Sequence, residues 1–295
     1  MKNLSFLIII LLALNACEDP IDVELQESET QIVVDAWLTN TPGQQQIRLT
    51  KSQPYFNNTF AEGITNANVI VTNVTSGDVY NFQESENGNY LYTLNPNQVL
   101  GEVNDEFELN IETNGERLSA TSKLNDVPPV DSIDQEFRDD EVFLDDGIYC
   151  QFFARDLAGL GDTYWIKTFK NGEYLNRAGE INIAYDASFD SGGEVDNLVF
   201  IPPIREAVNP LDDDSIPIAW EPGETIRVEI HSITNEAFGF LEITRDQLLN
   251  SQSGIFAAPL SNTKGNIVNE SSDTEVLGIF NVAGVSVREE VIREP

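Results

Sequence analysis

The stretch Phe107-Glu108-Leu109-Asn110-Ile111-Glu112 gives the clearest indication of how this chain folds. Apolar and polar side chains alternate along it with a period of two, which is the spacing of a β-strand. Such alternation predicts an antiparallel strand with one face in a core and the other in water. Asn114-Gly115 follows directly and is a strong hairpin-turn signal. The sequence around this point therefore predicts β-structure.

The same pattern extends towards the N-terminal side of the chain. Ser76-Gly77-Asp78 and Asn87-Gly88 are turn signals between segments rich in β-forming residues. The predicted strands lie at 31–38, 47–51, 69–75, 79–82, 90–92, 107–112 and 118–121. About seven short strands between residues 31 and 121 predict a small β-sandwich over residues 31–127.

Two consecutive prolines, Pro128 and Pro129, interrupt this rhythm, because proline cannot occupy a central strand. We take them as the boundary before a second β-rich unit, residues 130–295. Its predicted strands lie at 148–154, 163–170, 180–185, 225–231, 275–280 and 285–288. The predicted fold is mainly β, with two consecutive antiparallel β-sandwich units and one or two short helices in the second.

One helix is predicted near residues 235–250. Asn235 is a suitable N-cap residue, and an apolar stripe follows it at helical spacing. The stripe consists of Phe238, Leu241, Leu248 and Leu249. We expect this helix to cover a face or an edge of a sheet.

The N-terminus has the pattern of an export signal. Lys2 precedes the apolar residues 4–14, which are too few to span a bilayer, since that takes about 20. Leu14-Asn15-Ala16-Cys17 then resembles a bacterial lipobox. We predict a signal peptide over 1–16, lipid attachment at Cys17 and an acidic tether over 17–30. The alternative is an ordinary secretory signal followed by an incidental cysteine.

The formal charge of the chain is −34, from 50 acidic and 16 basic residues. Such a surface repels nucleic acid and anionic lipid headgroups, so neither is expected as a partner. It is typical of a solvated exported protein, and a coat that collects cations is the alternative. Only Cys150 remains if Cys17 carries lipid, and we expect Cys150 to be a buried, inert thiol.

No catalytic constellation is found, and the chain is predicted not to be an enzyme. His231 is the only histidine, and we expect it to be solvated on a strand face shared with Arg227 and Glu229. A serine-hydrolase triad needs a histidine base, and a zinc site usually needs two or more histidine or cysteine ligands. Phosphate-binding and dinucleotide-binding motifs are also missing, so no cofactor is predicted. Carboxylates alone could still hydrolyse glycosides.

Three groups of residues remain as candidates for binding. Asp139 and Asp140 in one loop, and Asp212, Asp213 and Asp214 in another, are oxygen ligands of the kind Ca²⁺ accepts. Neither loop has the ligand spacing of an EF-hand, and solvated loops are the alternative. Trp220 precedes a turn and is a candidate for ligand contact at the surface, whereas Trp37 and Trp165 lie within strands and are expected in the core.

The C-terminal third carries the most specific pattern. It consists of Phe256-Ala257-Ala258-Pro259, then Gly265-Asn266-Ile267-Val268-Asn269, then Val276-Leu277-Gly278-Ile279-Phe280-Asn281-Val282. With the lipobox and the early strand Ile32 to Thr39, it resembles the lipoprotein family catalogued as domain of unknown function 4249. The resemblance implies an outer-membrane lipoprotein with an immunoglobulin- or transthyretin-like first unit, often encoded beside a TonB-dependent receptor. It implies no catalytic residues.

These observations leave three hypotheses about function. The first is a non-catalytic accessory lipoprotein of the outer membrane that faces the cell surface and works with a TonB-dependent receptor in nutrient capture. The second is a structural or adhesive module of the cell surface. The third is a glycoside hydrolase built on carboxylates.

Overall fold

Sixteen β-strands, two α-helices and one short 3-10 helix (Ala178–Glu180) make up the secondary structure that the computed structural model describes, over residues 30–54, 57, 59–142, 144–189, 195–250 and 262–295. The strands are β1 (Ile32–Thr39), β2 (Gly43–Lys51), β3 (Asn68–Asn73), β4 (Val79–Glu84), β5 (Asn89–Leu94), β6 (Glu106–Thr113), β7 (Glu116–Lys123), β8 (Ser132–Arg138), β9 (Gly147–Phe153), β10 (Thr163–Lys170), β11 (Glu173–Tyr174), β12 (Asn182–Tyr185), β13 (Thr225–Ile233), β14 (Val268–Asn269), β15 (Leu277–Ala283) and β16 (Val285–Val291). The helices are α1 (Pro202–Glu206) and α2 (Asn235–Asn250). The prediction of a mainly β, sandwich-like protein is confirmed.

Nine strands form the first sheet, in the order β14-β7-β6-β3-β4-β5-β2-β1-β15. The alternation that predicted β6 is present in the structure: Phe107, Leu109 and Ile111 are buried. Inward side chains of β1 and β2 join them in one apolar core. The sheet curls, so that β15 also lies against β7, where the Val282 amide donates to Ser122 Oγ at 2.9 Å.

The C-terminal strand β15 pairs with β1 in parallel, over Val33 to Thr39. The sequence did not predict this pairing. Two consecutive antiparallel units, residues 31–127 and 130–295, would keep β15 within the second unit and out of the first sheet. Residues 124–131, with the two prolines, lead from β7 to β8. Strands β14 and β15 then return to the sheet that residues 31–123 built.

A second sheet contains β11-β10-β13-β16, with β12 also paired to β10, and the hairpin β8-β9 forms a third. The inner face of the second sheet packs against the hairpin and α1 in a core of its own. This core includes Ile148, Cys150, Phe152, Tyr164, Ile166, Ile204, Trp220, Val228 and Ile230. The predicted burial of Cys150 is confirmed, since its side chain is fully enclosed.

The predicted helix near 235–250 is confirmed as α2, with two corrections. Its first turn is capped by Thr234, whose hydroxyl accepts from the Ala237 amide at 3.2 Å, and Asn235 is already helical. Only the first half of the predicted stripe is buried, at Phe238 and Leu241. Leu248 and Leu249 are exposed, so the last turns of α2 bury little of the stripe.

The predicted signal peptide, the lipidation site Cys17 and most of the acidic tether lie outside the described residues, as does the Phe256 to Pro259 part of the family pattern. Within the described part of the chain, no helix combines the length and apolar character that crossing a membrane requires.

Candidate functional site

An open groove of about 510 Å³ lies on the outer face of the first sheet, beside α2. We call it the Trp37 groove. Its floor consists of outward side chains of β1 and β2 and the start of β15, and its walls are residues 59–61 and Phe240 of α2. The lining residues are Val33, Val34, Asp35, Trp37, Arg48, Thr50, Gln53, Thr59, Phe60, Ala61, Phe240, Gly278 and Ile279.

Strand alternation places Trp37 in the groove. Val34, Ala36 and Leu38 point into the core, so Asp35 and Trp37 share the opposite face of β1. Trp37 and Trp165 are both partly buried and pack against an apolar cluster that includes Phe238 and Ile279, so the expectation that they lie in the core is confirmed in part. Asp35, two residues earlier on the same face, could have indicated that Trp37 points away from the first core.

Neighbouring aromatic rings fix the orientation of Trp37. Its ring lies 4.9 Å from that of Trp165 in an edge-to-face arrangement and 6.4 Å from that of Phe240. Helix α2 is held over β15 because the Thr234 amide donates to Asn281 Oδ1 at 2.9 Å. Asn281 is also the register partner of Trp37, so one residue couples the helix to the groove floor.

Gly278 allows the floor of the groove to form. Its φ is +102°, and a Cβ placed there would lie 1.8 Å from the carbonyl oxygen of Val34. Only glycine permits this backbone conformation together with such close approach of β15 to β1.

The loop that forms the other wall is tied to β2. Gln53 Nε2 donates to the Thr59 carbonyl at 2.8 Å, and Lys51 pairs with Glu62 at 2.8 Å. Between these ties the side chain of Phe60 is 95% exposed at the rim. A single exposed apolar side chain is common on protein surfaces, but Phe60 adjoins the aromatic lining of the groove and so enlarges the apolar surface open to a ligand.

The charged groups of the groove are Asp35 and Arg48, which are directly opposite each other on β1 and β2. Arg48 Nε is enclosed by the protein, and no acceptor among the described residues contacts it. Asp35 lies on the exposed face of β1, yet partial burial raises the pKa of its carboxyl, which the charges of Arg48 and Lys167 oppose. No direct ion pair joins Asp35 and Arg48 in the described part of the chain, so the groove presents the Arg48 guanidinium beside the Asp35 carboxylate.

Behind Trp37 lies a cluster of aromatic and charged residues on the outer face of the second sheet. Lys167 Nζ is 3.8 Å from the centre of the Trp165 ring, and burial lowers the pKa of Lys167 to about 8. His231 Nε2 is 2.9 Å from Glu229 Oε2. His231 is 6% exposed, and burial lowers its pKa to about 4. The predicted face shared with Arg227 and Glu229 is correct, but the predicted solvation of His231 is wrong because neighbouring elements cover this end of the strand.

Trp220, the sequence candidate for ligand contact, is 2% exposed and belongs to the second core. Its indole N–H donates to Asn209 Oδ1 at 3.1 Å, and its amide donates to the Ile148 carbonyl at 2.8 Å. The expectation of surface exposure is therefore wrong. The turn that follows Trp220 is exposed, but the bridge to β9 draws the tryptophan itself inside.

The predicted calcium candidates do not converge within the described residues. Asp212 Oδ1 accepts from the Asp214 and Ile216 amides at 2.9 and 2.8 Å, which stabilises its own loop. Asp213 pairs with Arg177 at 3.1 Å. Asp139 and Asp140 are exposed, and the Asp140 amide donates to Asp146 at 3.2 Å.

A different acidic cluster is present at Asp156, Asp162 and Asp186, whose ligand oxygens lie within 4.8 Å of one another. Carboxylates in such proximity are the kind of ligand that Ca²⁺ accepts. Burial, reinforced by the charges of the two neighbours, raises the pKa of Asp156 to about 6. The buried carboxylates also hold the loop, because Asp156 accepts from the Tyr164 hydroxyl at 2.7 Å and Asp186 from the Gly161 amide at 2.7 Å. Asp156 and Asp162 lie near each other in the sequence, but Asp186 joins them only through the fold, so no local pattern indicated the cluster.

A comparison with protein-family models gives one match, over residues 18–289. This chain belongs to the family described as domain of unknown function (DUF4249). The resemblance noted in the sequence is thereby confirmed. No curated protein is similar enough to this DUF4249 chain to count as a match.

The structure gives a physical reason for part of the DUF4249 pattern. The side chain of Asn266 bridges the backbones of β7 and β15. Its Nδ2 donates to the Thr121 carbonyl at 3.1 Å and to the Phe280 carbonyl at 2.8 Å, while its Oδ1 accepts from the Phe280 amide at 2.9 Å. Gly265 precedes it because a Cβ there would lie 1.4 Å from the Gly278 carbonyl oxygen.

Proposed function

We propose that this DUF4249 chain is a lipid-anchored, non-catalytic protein of the outer membrane that binds a nutrient at the cell surface and works with a TonB-dependent receptor. The Trp37 groove carries the proposal. It is open, has aromatic walls and a volume within the range of about 300 to 1,000 Å³ usual for small-ligand pockets. Among its described lining residues the groove has a single carboxylate, Asp35, whereas glycoside hydrolysis ordinarily uses two.

The proposed location rests on the leader and Cys17. A thiol that carries two acyl chains anchors a protein stably, whereas one chain gives only reversible binding. The acidic residues after Cys17 support a position outside the cell, where a groove on the first sheet would meet ligands before an importer does. Association with a TonB-dependent receptor is proposed from the resemblance that the family pattern carries.

The anchor is tested with matched cysteine variants. Cys17→Ser should release the protein from the membrane fraction, because serine cannot receive the thioether-linked lipid. Cys150→Ala, which removes the buried thiol, should leave fractionation unchanged. Protease treatment of intact cells then reports the orientation, and digestion only after lysis would contradict surface display.

The partnership is tested by chemical cross-linking in intact cells, followed by purification of the lipoprotein in mild detergent. Recovery of a β-barrel receptor with wild type, and its loss with a lipoprotein that Cys17→Ser has released, is the expected result. If no receptor is recovered from cells that display the protein, the accessory role is wrong.

A further inference from the structure

The polar groups of the Trp37 groove favour a ligand group that both donates and accepts hydrogen bonds. No described residue accepts a hydrogen bond from Arg48, whose Nε is enclosed, so its terminal amino groups are the donors open to a ligand, and the Asp35 carboxylate opposite is an acceptor only. A hydroxyl group accepts from the first and donates to the second, so two neighbouring hydroxyls satisfy both. Thr50 and Gln53 add further hydrogen-bonding groups to the lining.

Charge argues against the main alternatives. Asp35 and Arg48 cancel within the groove, while the whole chain carries −34, so an anionic ligand is repelled at long range. A purely apolar ligand would cover Arg48 and Asp35 without giving them partners, which is costly. A metal ion would find one carboxylate among the described lining residues.

The aromatic walls fit the remaining face of such a ligand. Trp37, Phe60 and Phe240 surround a floor that also includes Val33 and Ile279. A pyranose ring has apolar C–H faces bordered by hydroxyls at its edge, so it can contact aromatic rings with one surface and the charged pair with the other. This combination of a few placed polar groups in an apolar lining is typical of ligand pockets.

We propose that the Trp37 groove binds a neutral oligosaccharide, with Trp37 and Phe60 contacting sugar faces and with Asp35 and Arg48 bonding ring hydroxyls. The inference rests on the proposed function, since it names the class of nutrient that the protein captures. It assigns no chemistry to the sugar, which leaves the groove unaltered.

The test uses the purified lipidated protein in detergent and isothermal titration calorimetry. The probes are short gluco-, galacto-, manno- and xylo-oligosaccharides, with oligogalacturonate as the charged comparison. At least one neutral probe should bind more tightly than about 1 mM, while oligogalacturonate should bind more weakly. Phe60→Ala should weaken the best neutral probe by about tenfold, and Arg48→Gln by at least as much.

Matched variants separate binding from folding. Phe137→Ala removes a half-exposed phenylalanine of β8, and Arg288→Gln removes an arginine of β16, both outside the groove. Both should leave the affinity unchanged. Because Phe60 is 95% exposed, Phe60→Ala should also keep the wild-type unfolding midpoint.

Three outcomes would overturn the inference: no neutral probe binds, oligogalacturonate binds best, or affinity survives both Phe60→Ala and Arg48→Gln. The cross-linking result is independent of these. A recovered receptor with no sugar binding would leave the accessory role standing and remove the sugar. Groove-dependent sugar binding with no receptor would do the reverse.

Discussion

Replacing Asn266 with alanine should open the contact between β7 and β15, where the first sheet curls back on itself. The amide side chain supplies three hydrogen bonds to backbone groups there, two of them to Phe280. Phe280 is fully buried in β15, so water cannot easily replace the lost partners. The third bond, to the Thr121 carbonyl, is exposed and can be replaced by solvent.

The expected magnitude follows from these positions. A buried backbone group left without a partner costs about 1 to 3 kcal/mol, and Asn266→Ala leaves an N–H and a C=O of Phe280 in that state. Partial access of water at the half-buried Asn266 reduces the cost. We therefore expect the free energy of unfolding to fall by about 2 to 3 kcal/mol.

Asn269 provides a matched control three residues away. Its side chain also makes three hydrogen bonds, to Ser272 Oγ and to the Ser271 and Ser272 amides, but all three are exposed. Asn269→Ala should cost about 1 kcal/mol or less, since water takes over these bonds.

Urea unfolding followed by tryptophan fluorescence measures both variants, and an unchanged m-value shows that the unfolded state is comparable. A loss below about 0.5 kcal/mol for Asn266→Ala, or equal losses for the two variants, would refute the reasoning, because burial would then not decide the cost.

Three further predictions test the backbone conformation at Gly278, the protonation of His231 and the burial of the Cys150 thiol. Gly278→Ala should lower the free energy of unfolding in urea by about 3 kcal/mol or more, because the added Cβ would meet the Val34 carbonyl. Gly77 also has a positive φ but open space around it, so Gly77→Ala should cost about 1 kcal/mol. Equal losses for the two variants would contradict the steric argument. His231 should titrate by NMR with a pKa of about 4 instead of 6.5. Between pH 6.5 and about 4 the unfolded chain binds the proton before the folded one does, so the free energy of unfolding should fall as the pH drops through this range. A titration midpoint near 6.5 would show that the imidazole is solvated. Cys150, whose pKa burial raises to about 12, should resist iodoacetamide until urea unfolds the protein, and rapid labelling of the native state would disprove its burial.

Local periodicity was enough to predict most elements of this fold. Phe107, Leu109 and Ile111 alternate with polar neighbours, and β6 lies where they predict it. Helix α2 could be predicted because caps and apolar spacing are local signals. The parallel pairing of β15 with β1 could not be predicted in this way. The pattern of each segment indicates a strand, but their order in a sheet depends on contacts across nearly the whole chain.

The tryptophans show why the candidate site was harder to predict. Trp220 precedes an exposed turn, yet a bridge to Ile148 and a bond to Asn209 bury it. Trp37 lies within a strand, yet its face is the outer one, and the groove around it takes its walls from residues 59–61 and α2. Side-chain alternation with Asp35 could have indicated the outward face, but the walls depend on tertiary structure.

The parallel contact between β1 and β15 has a consequence for how the chain folds during synthesis. Synthesis proceeds from the N-terminus, so β1 is complete long before β15 is available. Until then β1 presents one unpaired edge with the apolar side chains Val34, Ala36 and Leu38 behind it. Such an edge can pair with other chains. The contact order of this pairing makes the closing step slow, and we expect the early fragment to need a chaperone until the chain is complete.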